Sequence, residues 1–216
     1  MRRRSFIGIC SAALGAQVSA RLASARALAL TPFNRVALVD AGGASLRVSA
    51  LSTAQAYIFH YPYRGTPAFL IRLESAAAGG VGPGNAVVAF SAICAHQLSH
   101  PSKDFSPITY SAGYSNVAGR AGAIVCCAHH SVYDPAAGAR VLSGPAPQAL
   151  AAIELACEGD CLFATGVRGP DRFDDFFRAF AEDLINEFGR GQARMLAQGN
   201  ATTILLDRYT QDPLHC

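Results

Sequence analysis

Apolar positions between Thr31 and Glu74 come in short runs rich in β-branched and aromatic residues: Val36–Val39, Leu46–Leu51, Tyr57–His60 and Phe69–Leu73. Runs of this length, broken by Gly42-Gly43 and by the Pro62–Pro67 segment, predict strands and turns. Two more apolar runs, Ala86–Cys94 and Ala123–Cys126, each end in cysteine. Ala149–Ala156 and Leu162–Val167 predict a hairpin around Glu158-Gly159-Asp160. The period then changes. Phe173, Phe176, Phe177, Phe180, Leu184, Ile185 and Phe188 recur at helical spacing, so 172–188 predicts one amphipathic helix, with Asp171 as its N-cap and Gly189 as its stop. Thr202–Leu206 is a last β-like run. The pattern is that of a mainly β chain with one C-terminal helix.

Composition narrows this reading. A chain of 216 residues with 51% hydrophobic and 15% charged residues forms one domain with a proper core and is too apolar for disorder. The net charge of +3 is misleading. Residues 1–29 hold five arginines and no acids, so the remainder carries 3 − 5 = −2, and nothing points to nucleic acid. Arg3-Arg4-Ser5-Phe6-Ile7 resembles a twin-arginine export signal. The apolar stretch Phe6–Ala20 suits a signal and is too short to span a bilayer. Ala23-Ser24-Ala25 and Ala27-Leu28-Ala29 offer cleavage sites; retention would instead leave an N-terminal anchor. The expected location is the periplasm, with a membrane attachment only if the N-terminus is kept. In an oxidising compartment Cys157 and Cys161, flanking the hairpin turn, are candidates for a small disulfide.

The chemistry lies in two clusters. Cys94-Ala95-His96 follows one apolar run and Cys126-Cys127-Ala128-His129-His130 the other. Ser131, Tyr133 and Asp134 follow the second, and Gly144-Pro145-Ala146-Pro147 forms a later loop. These boxes, in this order, resemble the Rieske iron–sulfur family over roughly Val36–Val167. The resemblance implies an antiparallel β-sandwich with a cluster-binding subdomain and a 2Fe–2S cluster held by two cysteines and two histidines. Cys94 and His96 supply the first pair. For the second, likeness to a secreted subgroup favours Cys127 and His130, whereas spacing to Ser131 and Tyr133 favours Cys126 and His129. The first of these is preferred here, and both stay open. The resemblance also makes Ser131 and Tyr133 hydrogen-bond donors to the cluster sulfurs, and Gly144, Pro145 and Pro147 part of a covering loop. The disulfide that joins the two cluster loops in respiratory members has Ser99 and Ala128 at its places.

The expected organisation is a signal or anchor (1–29), a Rieske domain (31–168, with cluster loops 94–100, 126–134 and 144–147) and a helix with a tail (170–216). Residues 99–120 read as a surface insertion. The expected role is one-electron transfer, as a shuttle or the small subunit of a respiratory oxidoreductase. Partners of that kind are a quinol-oxidising complex, a c-type cytochrome or a molybdenum oxidoreductase. The alternatives are a ferredoxin component of a Rieske oxygenase system and a structural zinc module of Cys and His. No spaced His/Asp pair offers a mononuclear iron site of its own.

Overall fold

The computed structural model describes residues 29–216; the arginine-rich segment expected to act as an export signal lies outside them. Fourteen strands are seen among these residues. In the larger sheet run β1 (Leu30–Val39), β2 (Ala56–His60), β3 (Pro67–Arg72), β4 (Val87–Ser91), β10 (Ala152–Glu158), β11 (Cys161–Arg168), β12 (Asn200–Thr202) and β13 (Ile204–Leu205), in the spatial order β12-β1-β11-β10-β4-β3-β2-β13. Its pairs are antiparallel except β1 with β12. The two edge strands are separated only by Thr203, so the sheet curls back on itself. A smaller sheet carries β6 (Ile108–Ser111), β7 (Ala123–Cys126), β8 (Ser131–Asp134) and β9 (Arg140–Ser143), in order and antiparallel. β5 (Phe105–Ser106) and β14 (Asp212–Pro213) form a short parallel pair. The chain is mainly β.

Strand alternation explains why β2, β3 and β4 read as unbroken apolar runs. Side chains of successive residues point to opposite faces. Tyr57, Phe59, Ala68, Leu70, Val87 and Ala89 enter a core inside the curled sheet, with Val36, Leu38 and Leu162. Ile58, Phe69, Ile71, Val88 and Phe90 enter a second core, shared with Cys94, Ile124, Cys126 and Tyr133 of the smaller subdomain. Both faces are covered, so neither needs polar residues. The candidate site is thereby built onto the back of the main sheet.

Several expectations are corrected. Leu46–Leu51 is no strand; a 3-10 turn occupies Val48–Ala50, held by the Val48 N–H on the Asp160 carbonyl and by Ser49 on the Asp160 carboxylate. The helical segment is in two pieces, α1 (Phe173–Ala179) and α2 (Ala181–Phe188), broken at Phe180. Asp171 does accept from the Phe173 N–H, at 3.1 Å. Phe173, Phe176, Phe177 and Leu184 turn into the inner core, so this face is spent on the chain's own domain. Segment 99–120 is no mere surface loop, since it contributes β5 and β6. Cys157 and Cys161 are free. Cys157 faces Leu162 and Cys161 faces Glu158 across a two-residue turn, so adjacent pairs put the two thiols on opposite sheet faces.

A third helix, α3 (Leu206–Tyr209), brings Tyr209 Oη to 3.3 Å from His60 Nε2. Burial first, and the Lys103 charge second, push the His60 pKa down from 6.5 to about 4. The folded chain thus holds His60 neutral where an unfolded chain would protonate it. Its stability contribution is complete above pH 6.5 and is lost as pH falls towards 4, up to about 3 kcal/mol. Urea unfolding of His60→Gln should therefore show a smaller loss between pH 7 and pH 4 than the parent.

Candidate metal centre

The first box is a tight turn after β4. The Cys94 N–H donates to the Ser99 carbonyl at 2.8 Å and the Leu98 N–H to the Cys94 carbonyl at 3.0 Å. Leu98 takes a left-handed φ of 61° to close it. The second box is the four-residue connection of the β7–β8 hairpin, closed by the Cys126–Ser131 pair and by the His130 N–H on the Cys126 carbonyl at 2.7 Å. The third loop seats against it. A side chain on Gly144, whose φ is +88°, would collide with the His130 carbonyl and the Ser131 backbone, so only glycine allows this approach. Ala146 and Leu150 then bury beside Cys94 and Cys126, while Pro145 and Pro147 stay exposed.

Parity along β7 decides which cysteine meets the first box. Ile124 and Cys126 share the face that packs with Cys94 and Tyr133. Ala123 and Val125 face the other way, into a small cluster with Val132, Cys127 and Cys216. Cys126 lies within hydrogen-bonding reach of Cys94, and both are fully buried. Cys127 is joined to Cys216 by a disulfide with a Cα–Cα separation of 5.8 Å. A disulfide sulfur has no thiolate to offer a metal. The expected pairing of Cys127 and His130 with the first box is therefore corrected: Cys126 and His129 come together with Cys94 and His96. The His96 and His129 rings meet at 4.9 Å, edge to face. His130 is exposed, with a φ of +60°.

The thiols are supplied with donors. The Cys94 pKa is pulled down, first by Cys126, then against burial by Tyr133 and the His96 backbone N–H. Cys126 is pushed up, first by the bond with Cys94 and then by burial, with the His129 N–H and Ser99 acting the other way. Each sulfur faces the backbone N–H of the histidine that follows it. Tyr133 Oη accepts from the Ala95 N–H at 3.2 Å and so can direct its own proton to Cys94 Sγ, also 3.2 Å away. Of the three buried side-chain polar atoms without a hydrogen-bond partner among the described residues, two lie here, His96 Nδ1 and Ser131 Oγ; the third is Thr210 Oγ1. No three His, Cys, Asp or Glu side chains among the described residues converge on one point. The four candidates form a buried thiol pair and, nearer solvent, an imidazole pair, with His96 half-buried and His129 exposed. Two pairs suit a binuclear centre.

Arg172 carries no mark in the sequence, and no signal in the first box gives Ser99 a role toward sulfur. Ser99 nonetheless reaches Cys126, and the Arg172 guanidinium donates to the Ala95 carbonyl from 77 residues away. Cys216 has no role legible from sequence and proves to be the disulfide partner of Cys127.

No family model matches the chain. It is 33% identical over 123 residues to the iodate reductase subunit IdrB of Denitromonas iodatirespirans, covering 57% of this chain and 60% of that protein. It is 33% identical over 122 residues to the iodate reductase subunit IdrB of a Pseudomonas species (strain SCT), covering 56% and 58%. The chain thus matches about three-fifths of the length of these curated relatives. The soluble domain of the Rieske protein II (soxF) from Sulfolobus acidocaldarius superposes with a TM-score of 0.47 at 23% identity, covering 62% of this chain and 78% of that one.

The Cys127–Cys216 bridge closes a loop with a sequence separation of 89. Cys216→Ser should lower the unfolding free energy by about 2–4 kcal/mol, measured by urea denaturation under oxidising conditions. Added reductant should bring the parent down to the variant and leave the variant unchanged.

Proposed function

We propose that this chain, a Rieske-type protein, carries single electrons in the periplasm through a 2Fe–2S cluster held by Cys94, His96, Cys126 and His129. The observation that carries this reading is the buried thiol pair set beside an imidazole pair, at the turns of β4 and β7–β8. A Rieske cluster bound there takes up and releases one electron at a higher potential than most all-thiolate clusters. The unpartnered Nδ1 of His96 is the nitrogen this reading gives to iron. Tyr133, Ser131 and Ser99 donate to sulfur, stabilising the more negative reduced state. Gly144, Pro145 and Pro147 cover the site and limit water. The more exposed histidine edge is where an electron enters or leaves.

Two features support the setting. The Cys127–Cys216 disulfide belongs in an oxidising compartment, and the leader carries an arginine pair. The relatives named as iodate reductase subunits support a place in an oxidoreductase assembly of several subunits. The partner is a larger catalytic subunit, such as a molybdenum oxidoreductase, or else a c-type cytochrome or a quinol-oxidising complex.

Electron paramagnetic resonance of the reduced protein tests the centre. Cys94→Ala, His96→Ala, Cys126→Ala and His129→Ala should each abolish the cluster signal, while His130→Ala keeps it. Loss from His130→Ala with retention in His129→Ala would reverse the ligand assignment. Tyr133→Phe and Ser131→Ala should keep the cluster and lower its midpoint potential, by roughly 40–90 mV each if a bond contributes about 1–2 kcal/mol more in the reduced state. For export, Arg3→Lys combined with Arg4→Lys should leave the protein in the cytoplasm, read by fractionation; normal periplasmic accumulation would point to another route.

A further inference from the structure

The first cluster loop is gripped from outside its own subdomain. Arg172, at the start of α1, donates from Nη1 to the Ala95 carbonyl at 2.6 Å. The Ala95 N–H donates to Tyr133 Oη at 3.2 Å. Both backbone polar groups of the residue between Cys94 and His96 are therefore taken, one by the β8 tyrosine and one by a cation. Arg172 is itself fixed. Its Nε bonds Asp175 Oδ2 at 2.7 Å, Asp175 also pairs with Arg178, and Phe173, Phe176 and Phe177 anchor the helix in the core. Its side chain is only 27% exposed, so its charge is incompletely screened.

We infer that Arg172 is a positioning residue that sets both the pose of the 94–98 loop and the potential of the centre, with Asp175 as its counterweight. This rests on the proposed cluster. Reduction adds one negative charge to the site, and a fixed guanidinium on the Ala95 carbonyl favours the reduced state. Asp175, paired to the same guanidinium, offsets part of that effect. A hydrogen bond alone would hold the loop; only the charge shifts the redox equilibrium. The two contributions can therefore be separated by substitution.

The test uses the exported protein with its cluster loaded, by redox titration followed by paramagnetic resonance, and hydrogen exchange of the 95–98 amides. Arg172→Gln should keep the cluster signal, lower the one-electron equilibrium constant for reduction about tenfold, which is about 59 mV, and speed exchange in the loop. Arg172→Lys should restore most of the potential. Asp175→Asn should move the potential the opposite way, and this variant decides between the outcomes even if Arg172→Gln fails to fold. Parental potentials in both Arg172→Gln and Asp175→Asn would overturn the inference. A parent without any cluster signal would instead overturn the functional reading, and the exchange rates alone would then decide whether Arg172 holds the loop.

Discussion

Two thiols forced together out of water are the constraint on which this architecture turns. Cys94 and Cys126 are fully buried and within bonding reach of each other. Such a pair tolerates negative charge only if donors are already in place, because burial penalises the charged form. The surroundings supply donors from several independent elements: the His96 and His129 backbone N–H groups, Tyr133 of β8, and Ser99 of the first turn. Each is fixed by backbone that serves another purpose, whether a strand ladder, a tight turn or a hairpin end. The main sheet contributes by covering the back of this pocket with Phe69, Val88 and Phe90. Removing that cover would let water screen the sulfurs and weaken every donor.

The same strands explain what could be read from sequence. Short β-branched runs, the two Cys-x-His-type boxes and the glycine–proline loop were legible because each carries a local signal. The register of the second box was not. Ala123–Cys126 is apolar on both faces, so the usual alternation of polar and apolar positions offers no parity, and adjacent cysteines and histidines give two equal spacings. Parity becomes visible only when Ile124 pairs with Tyr133 and Cys126 with Ser131. The spacing from His129 to Ser131 and Tyr133 held the decisive hint.

Other misreadings share one cause: the partner was distant in sequence. Cys216 looked purposeless because Cys127 lies 89 residues away. Leu46–Leu51 looked like a strand because Asp160, which pins it as a turn, is over a hundred residues on. Cys157 and Cys161 failed for the opposite reason. Their separation is short, but a two-residue turn leaves the intervening count odd for pairing, so they fall on opposite faces.

These distant partners concentrate in one segment. The stretch from Arg172 onward closes the main sheet through β12 and β13, holds the Cys94 loop through Arg172, and ties the Cys127 loop through Cys216. Leu214 adds to this, its N–H on the Ser106 carbonyl and its own carbonyl accepting from Thr109. Among the described residues no disulfide joins the two cysteine-bearing loops to each other, and each is braced by the same C-terminal stretch. Such a brace leaves the more exposed imidazole edge unencumbered. It also makes the geometry of the pocket depend on residues far from it in sequence, so damage to the tail should be felt at the sulfurs as well as in the main sheet.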